Sequence, residues 1–310
     1  ENPLVAHAVE GLTPRSARRT IPFVGRSAEQ AILGQSVGLI RTRGPLLVTL
    51  VGDSGMGKSR LADELAAGLS AAMPILRGRT RTYTDTATFA PLATIVGELA
   101  GIEDDQPPER VRQCLERLVV SYCDPAQVGR IVDRLSRLFG LADRRDESAF
   151  VHDVMTGFIP LIDAIARDQS VLLIFEDVHT LKPQMLDLIE RLGSKRRRGS
   201  RRLLVLALAR PELMELRPTW GSSGGNAVLV RLDPLSTEES IELVRQAGGG
   251  RIDDADAVAI AARAGGNPYF IVEATGMLLT DGRPAGCPVS LPARGQARCA
   301  ARVDAAPPRV

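Results

Sequence analysis

One octet constrains this chain more than any other feature: Gly52-Asp53-Ser54-Gly55-Met56-Gly57-Lys58-Ser59. It fits the pattern G-x-x-x-x-G-K-S, and each residue type has a physical reason to be there. Gly52, Gly55 and Gly57 let the backbone turn tightly and aim its N–H groups at phosphate oxygens. A helix that follows points its positive end at the same anion. Lys58 reaches the outer phosphates and Ser59 offers a hydroxyl to Mg²⁺. Asp53, Ser54 and Met56, with Arg60 just beyond, complete the predicted cofactor-binding segment. A chance glycine-rich turn is the bland alternative, and the surroundings argue against it. The apolar run Leu46 to Val51 precedes the octet as a buried strand. Leu61, Leu65 and Leu69 follow it on one face of a helix.

A second segment is read with the first. Leu172-Leu173-Ile174-Phe175 runs into Glu176-Asp177. A buried parallel strand delivers acids to its C-terminal edge, where open α/β sheets bind ligands. One acid there serves the Mg²⁺ shell and the other orients the attacking water. By order along the strand, Glu176 joins Ser59 on the metal side and Asp177 serves the water, although exchanged roles remain open. Leu203 to Ala209 is a further strand and ends in Arg210. Arg210 at the tip of a strand beside the acids fits a γ-phosphate sensor, and a surface pair with Glu212 fits equally well. The catalytic candidates are therefore Asp177, Glu176, Lys58 and Arg210.

The rest of the chain sets bounds. Its 310 residues suffice for one large domain or two modest ones. The net charge of +2 makes no whole-chain case for nucleic acid or membrane. The longest apolar runs are strand-sized, so no membrane span is expected. Cys114, Cys123, Cys287 and Cys299 lack metal-like spacing and read as free thiols of a reducing, cytoplasmic setting. His7, His152 and His179 are too scattered for a metal site. Lys195 to Arg202 is the densest basic run and reads as a solvated loop. Trp220 is expected to cover local apolar surface.

Strands alternating with helices up to Leu232 argue for an α/β parallel sheet sandwiched by helices. The expected helices include Ser27 to Arg41 with Ser27 as N-cap, Lys58 to Ala72, and Ser148 to Arg167 with a kink at Pro160. Between 107 and 140, two amphipathic helices break near Asp124-Pro125. After Pro234 the pattern turns wholly helical, and Ser236-Thr237-Glu238-Glu239 is a capping box. The expected organisation is an arm at 1–22, a P-loop α/β core at 23–232, a helical lid at 233–282 and an irregular tail at 283–310. That tail reads as the truncated start of a further domain.

Several blocks, in order, resemble the STAND branch of AAA-type P-loop ATPases, as found in LuxR/MalT-like regulators and multidomain bacterial cyclases. Pro22-Phe23-Val24-Gly25-Arg26, with Glu29, is similar to the family's element beside the adenine. The glycine loop, Phe89-Ala90-Pro91-Leu92, the acidic strand Val171 to His179, and Leu206 to Glu212 follow. Leu232-Asp233-Pro234-Leu235 resembles the junction to the lid. Gly265-Gly266-Asn267-Pro268-Tyr269-Phe270 resembles a lid element whose proline faces the adenine. The family's acidic strand commonly continues His-Trp-Ala-Asp, whereas Thr180-Leu181-Lys182 stands here after His179. Leu291-Pro292 and Ala301-Arg302-Val303-Asp304 resemble the family's next helix, with a segment between them poorer in apolar residues.

The resemblance implies ATP or ADP with Mg²⁺, bound by the loop, by Val24, Gly25 and Arg26, and by Pro268. It implies slow ATP hydrolysis in a switch whose lid angle follows nucleotide state. It also implies other domains of a larger parent protein and a nucleotide-dependent oligomer as partners. Direct nucleic-acid binding by this segment is not expected. Two other readings stay open: a scaffold that holds nucleotide without turnover, and a P-loop small-molecule kinase.

Overall fold

The computed structural model describes residues 21–79, 88–103, 105–141, 147–194, 201–222 and 226–280. Five strands form one sheet: β1 (Leu46–Val51), β2 (Ile75–Gly78), β3 (Val171–Phe175), β4 (Leu203–Ala209) and β5 (Ala227–Arg231). Their order is β2-β3-β4-β1-β5 and every pairing is parallel. β4 therefore separates the strand that feeds the glycine loop from the strand that ends in the acids. The expected sandwich of helices around a parallel sheet is the observed architecture.

Alternation along the strands explains why both faces must be covered. Leu203, Val205 and Ala207 of β4 enter one apolar cluster, while Leu204, Leu206 and Leu208 enter another. The second cluster is roofed by α1 (Ser27–Arg43) and α2 (Lys58–Leu69). The first and larger cluster is filled by α3 (Ala90–Ala100), α4 (Pro108–Tyr122), α5 (Pro125–Ser136), α6 (Glu147–Asp168) and α7 (Pro183–Gly193). Asp124 accepts a hydrogen bond from the Ala126 N–H, so the expected break between α4 and α5 is a capped helix start. A short α8 (Glu212–Leu216) follows β4. The wholly helical part is α9 (Thr237–Gly248), α10 (Asp254–Ala264) and α11 (Pro268–Thr280). Its own small core holds Leu235, Leu243, Val244, Ala257, Ile260 and Ile271.

Several expectations need correction. Ser27 does not cap α1: Arg26 occupies the cap position in the left-handed region at φ 63°, and no side chain bonds there. The basic run does not end as a solvated loop. Arg201 is 2% exposed and pairs with Asp163, and Arg202 donates to the Arg167 and Asp168 carbonyls. A buried guanidinium needs such a carboxylate, because an unpaired buried charge is costly. Apolar length was also underestimated from contiguous runs: α6 is long and apolar enough to cross a bilayer by composition alone. Its Val154, Phe158, Ile162 and Ile165 are nevertheless buried in the larger cluster, as in a core helix. Trp220 covers apolar surface as expected, and its indole N–H also satisfies the buried Thr49 hydroxyl of β1 at 2.9 Å. The arm at 1–20, Lys195 to Ser200 of the basic run, and the tail from 281 onward, with Cys287 and Cys299, lie outside the described residues.

Candidate functional site

The site is assembled at the C-terminal edge of the sheet, beginning with β1. Six buried residues end at Val51, and the chain turns into the loop. Gly55 stands at φ +83° and Gly57 at φ +86°, and Gly57 begins α2 without a side-chain cap. An L side chain at Gly55 is strained in that conformation. The uncapped start leaves the first helical N–H groups to an anion. Lys58 Nζ donates to the Gly52 carbonyl at 2.6 Å and to the Asp53 carbonyl at 2.9 Å. Burial pulls its pKa below the usual lysine value, opposed first by the negative charge of Asp177. Arg210 pushes the same way as burial, and Asp53 and Glu212 oppose it. A desolvated cation beside donor-rich backbone suits a phosphate.

The sheet register places the predicted residues together. Phe175 pairs with Ala207, and Ala207 is opposite Thr49 across β4 and β1. Beyond the strand ends, the charges of Asp177 and Arg210 both act on Lys58, and the Gly52 N–H donates to the Ala209 carbonyl at 3.3 Å. His179 joins them, its Nδ1 accepting the Arg210 N–H at 3.4 Å. Burial holds the His179 imidazole below its ordinary pKa; Asp177 opposes this and Arg210 adds to it. Asp177 itself sits at φ 49°. It and Arg26 are two of the three non-glycine residues at positive φ among the described residues. Such conformations cost about 1–3 kcal/mol and collect at functional sites.

Glu176 faces elsewhere. Its carboxylate lies 3.6 Å from Arg77 and 3.5 Å from Arg79, and Arg77 also pairs with Asp63 of α2 at 2.8 Å. Ser59 is exposed at the start of α2. Arg60 turns outward, paired with Glu64 and donating to the Ile21 carbonyl at 3.1 Å. Met56 is buried in the cluster under α1 and α2.

The helical part α9 to α11, the expected lid, lies directly on the loop. Asn267 Nδ2 donates to the Ser54 carbonyl at 3.0 Å, and the Tyr269 N–H donates to the Gly55 carbonyl at 3.2 Å. Pro268, between them, is half-buried. The Pro22-to-Arg26 element runs along the same seam. Val24 and Ile21 pack against the lid core, while Phe23 packs against the sheet core. Arg26 is buried, bonded to Glu29 and to the Asp233 carbonyl. Its backbone N–H donates to Glu239 Oε1 at 3.4 Å, and Glu239 Oε2 accepts the Ser236 N–H at 2.9 Å. A Cβ on Gly25 would stand 2.4 Å from Glu239 Oε1, so only glycine admits that carboxylate.

The sequence matches the AAA ATPase domain family over residues 22–206, more than half of the chain. The chain belongs to that family. No curated protein sequence matches the chain. Among solved structures it is similar to Cdc6p from Pyrobaculum aerophilum, at 15% identity and TM-score 0.53, covering 87% of this chain and 66% of that one. The RuvB Holliday junction branch migration motor of Thermotoga maritima aligns at 16% identity, covering 83% of this chain and 63% of the motor, with TM-score 0.42. A STAND protein with a tetratricopeptide repeat sensor from Pyrococcus horikoshii aligns at 16% identity, TM-score 0.43, covering 85% of this chain and 30% of that protein. The chain thus spans at most 66% of the length of these proteins. The AAA domain has the expected P-loop ATPase fold.

A magnesium ion suits the donors that this AAA domain offers. Its acids and the Ser59 hydroxyl are hard oxygen ligands, and no group of three or more His, Cys, Asp or Glu is gathered among the described residues. Mg²⁺ is typically held by one or two protein oxygens together with phosphate oxygens. Three features of this region were not singled out from the sequence. Asn267 was visible in its motif, yet only Pro268 was given a role. Glu239 was read as a helix cap alone. Arg77 and Arg79, which hold Glu176, were given no role.

Proposed function

We propose that this AAA domain is an ATP-binding signalling switch with slow Mg²⁺-dependent hydrolysis, working within a larger bacterial regulator or cyclase-like protein. The observation that carries the reading is the seating of Asn267 and Tyr269 on the carbonyls of Ser54 and Gly55. A lid bonded to the phosphate loop feels what the loop holds, which is the requirement for a hinge biased by nucleotide. In this reading Gly52 to Ser59 and Arg60 form the phosphate wall, and Val24, Gly25, Arg26 and Pro268 form the adenine side. Mg²⁺, when bound, neutralises developing charge on the outer phosphates. Lys58 holds the phosphate oxygens, and Arg210, whose charge acts on Lys58, reports on the γ-position. Asp177, whose charge reaches Lys58 and His179, orients the water. Glu176 joins Ser59 on the metal side after parting from Arg77 and Arg79.

The ion pairs of Glu176 favour a second reading, a scaffold that binds nucleotide without turnover. Phosphate release from the wild-type protein separates the two. The switch reading expects slow release, reduced at least tenfold in both Glu176→Gln and Asp177→Asn; no release from wild type sinks it. Lys58→Ala is expected to abolish ATP and ADP binding in calorimetry while retaining the fold. Unchanged ATP affinity in that variant refutes the site.

A further inference from the structure

Asn267 makes more bonds than a helix cap requires. Its Oδ1 accepts the Tyr269 N–H at 3.0 Å and the Phe270 N–H at 3.4 Å, which caps the start of α11. Those two donors demand an oxygen, so the side-chain amide can face the loop only with its nitrogen. That nitrogen donates to Ser54 O. The same Tyr269 N–H is shared with the next carbonyl, Gly55 O, at 3.2 Å. Asn267 is only 9% exposed, and a Cβ on Gly55 would stand 2.6 Å from its Oδ1. The fit is close enough to fix the loop.

The direction of those bonds matters. In a trans peptide the N–H points opposite to the C=O. With the Ser54 and Gly55 carbonyls turned to the lid, the N–H groups of Gly55 and Met56 are turned away from it. The Gly55 N–H is thereby left to an anion, while the Met56 N–H also meets the Asp53 carbonyl at 3.4 Å inside the loop. We propose that Asn267 is a positioning residue that sets the phosphate loop's amides for an anion only while the lid is docked. Lid docking and phosphate binding then favour each other by the same factor. The inference rests on the nucleotide reading above and deepens it.

Two variants separate the clamp from the cap. Asp and Ser both cap helices as well as Asn does. Neither supplies the amide nitrogen: Asp presents an oxygen to the Ser54 carbonyl, and Ser is too short to reach it. In the full chain, Asn267→Asp and Asn267→Ser should each weaken ADP binding roughly three- to tenfold, the worth of one net hydrogen bond. Both should also speed hydrogen exchange at the Met56 amide, whose bond to the Asp53 carbonyl belongs to the set loop, before any nucleotide is added. Their nucleotide-free melting temperatures should fall less than that of Asn267→Ala, which loses the cap as well. Wild-type ADP affinity and wild-type exchange in both variants would reduce Asn267 to a cap and overturn the proposal. Weakening in the Asp variant alone would overturn it too, since that assigns the effect to charge. If wild type holds no ADP, the nucleotide reading has failed, and the exchange measurement still judges the clamp independently.

Discussion

The sheet and the lid are held in place by different physics. β1, β3 and β4 are buried along their whole length and sit between two large apolar clusters. The lid has a core of six buried residues and meets the rest of the chain through the partly buried Ile21 and Val24 and a few polar bonds: Asn267 to Ser54, Tyr269 to Gly55, Arg26 to Asp233 and Glu239 to Arg26. Apolar burial is summed over many groups and fades gradually with displacement. Polar bonds are few, directional and individually modest. The sheet's arrangement is therefore expensive to alter, and the lid's angle is cheap. That contrast is what a nucleotide switch needs.

The sharpest way to break the comparison is to open a cavity on each side. Leu206→Ala, in the middle of β4 and fully buried, should cost about 2–5 kcal/mol and lower the stability of the whole chain in urea. Ile260→Ala in the lid should cost about the same locally. It should give a separate early transition for α9 to α11, followed by hydrogen exchange, while the sheet amides stay protected. A single concerted transition in both variants would mean that lid and sheet are one cooperative unit.

Next in size is the seam. Glu239→Ala removes the acceptor for both Ser236 and Arg26, an expected loss of about 2 kcal/mol from a cap and a hydrogen bond together. Ser236→Ala removes only the cap and should cost about 1 kcal/mol. Equal losses would mean that the bond to Arg26 contributes nothing. The smallest effect is pH-dependent. The folded pKa of His179 is depressed by burial, so the unfolded chain takes up its proton first as pH falls. The contribution is intact above the ordinary histidine value of about 6.5 and is lost as pH drops below it. His179→Gln should flatten the stability profile slightly in that window, and an unchanged slope would discount the residue.

The sheet and the phosphate loop were legible because each is written in contiguous residues. Leu46–Val51, Val171–Phe175 and Leu203–Ala209 are apolar runs of strand length, and the octet is local. Register then followed from the fold and placed Asp177 and Arg210 at one edge, as their strand-end positions implied. The misses share one cause: their partners lie far away in sequence. Glu239 meets Arg26 across 213 positions, and so does Asn267 with Ser54. No periodicity or spacing carries such a pairing. Arg201 looked solvated because its neighbours are basic, and only Asp163 on α6 explains its burial. Glu176 was assigned to the metal side, and only β2 brings Arg77 beside it.

β4 has a consequence best stated as a length. Adjacent strands lie about 4.8 Å apart. With one strand inserted between β1 and β3, the end that launches the loop and the end that carries the acids are separated by roughly 9–10 Å. Direct neighbours would leave half of that. In the proposed reading a terminal phosphate and a water molecule share that wider gap, and its width is held by backbone hydrogen bonds that no side-chain substitution removes. The sheet acts as a spacer of fixed gauge, so evolution can retune the acids, the arginines and the lid while the distance across which the chemistry must work stays constant.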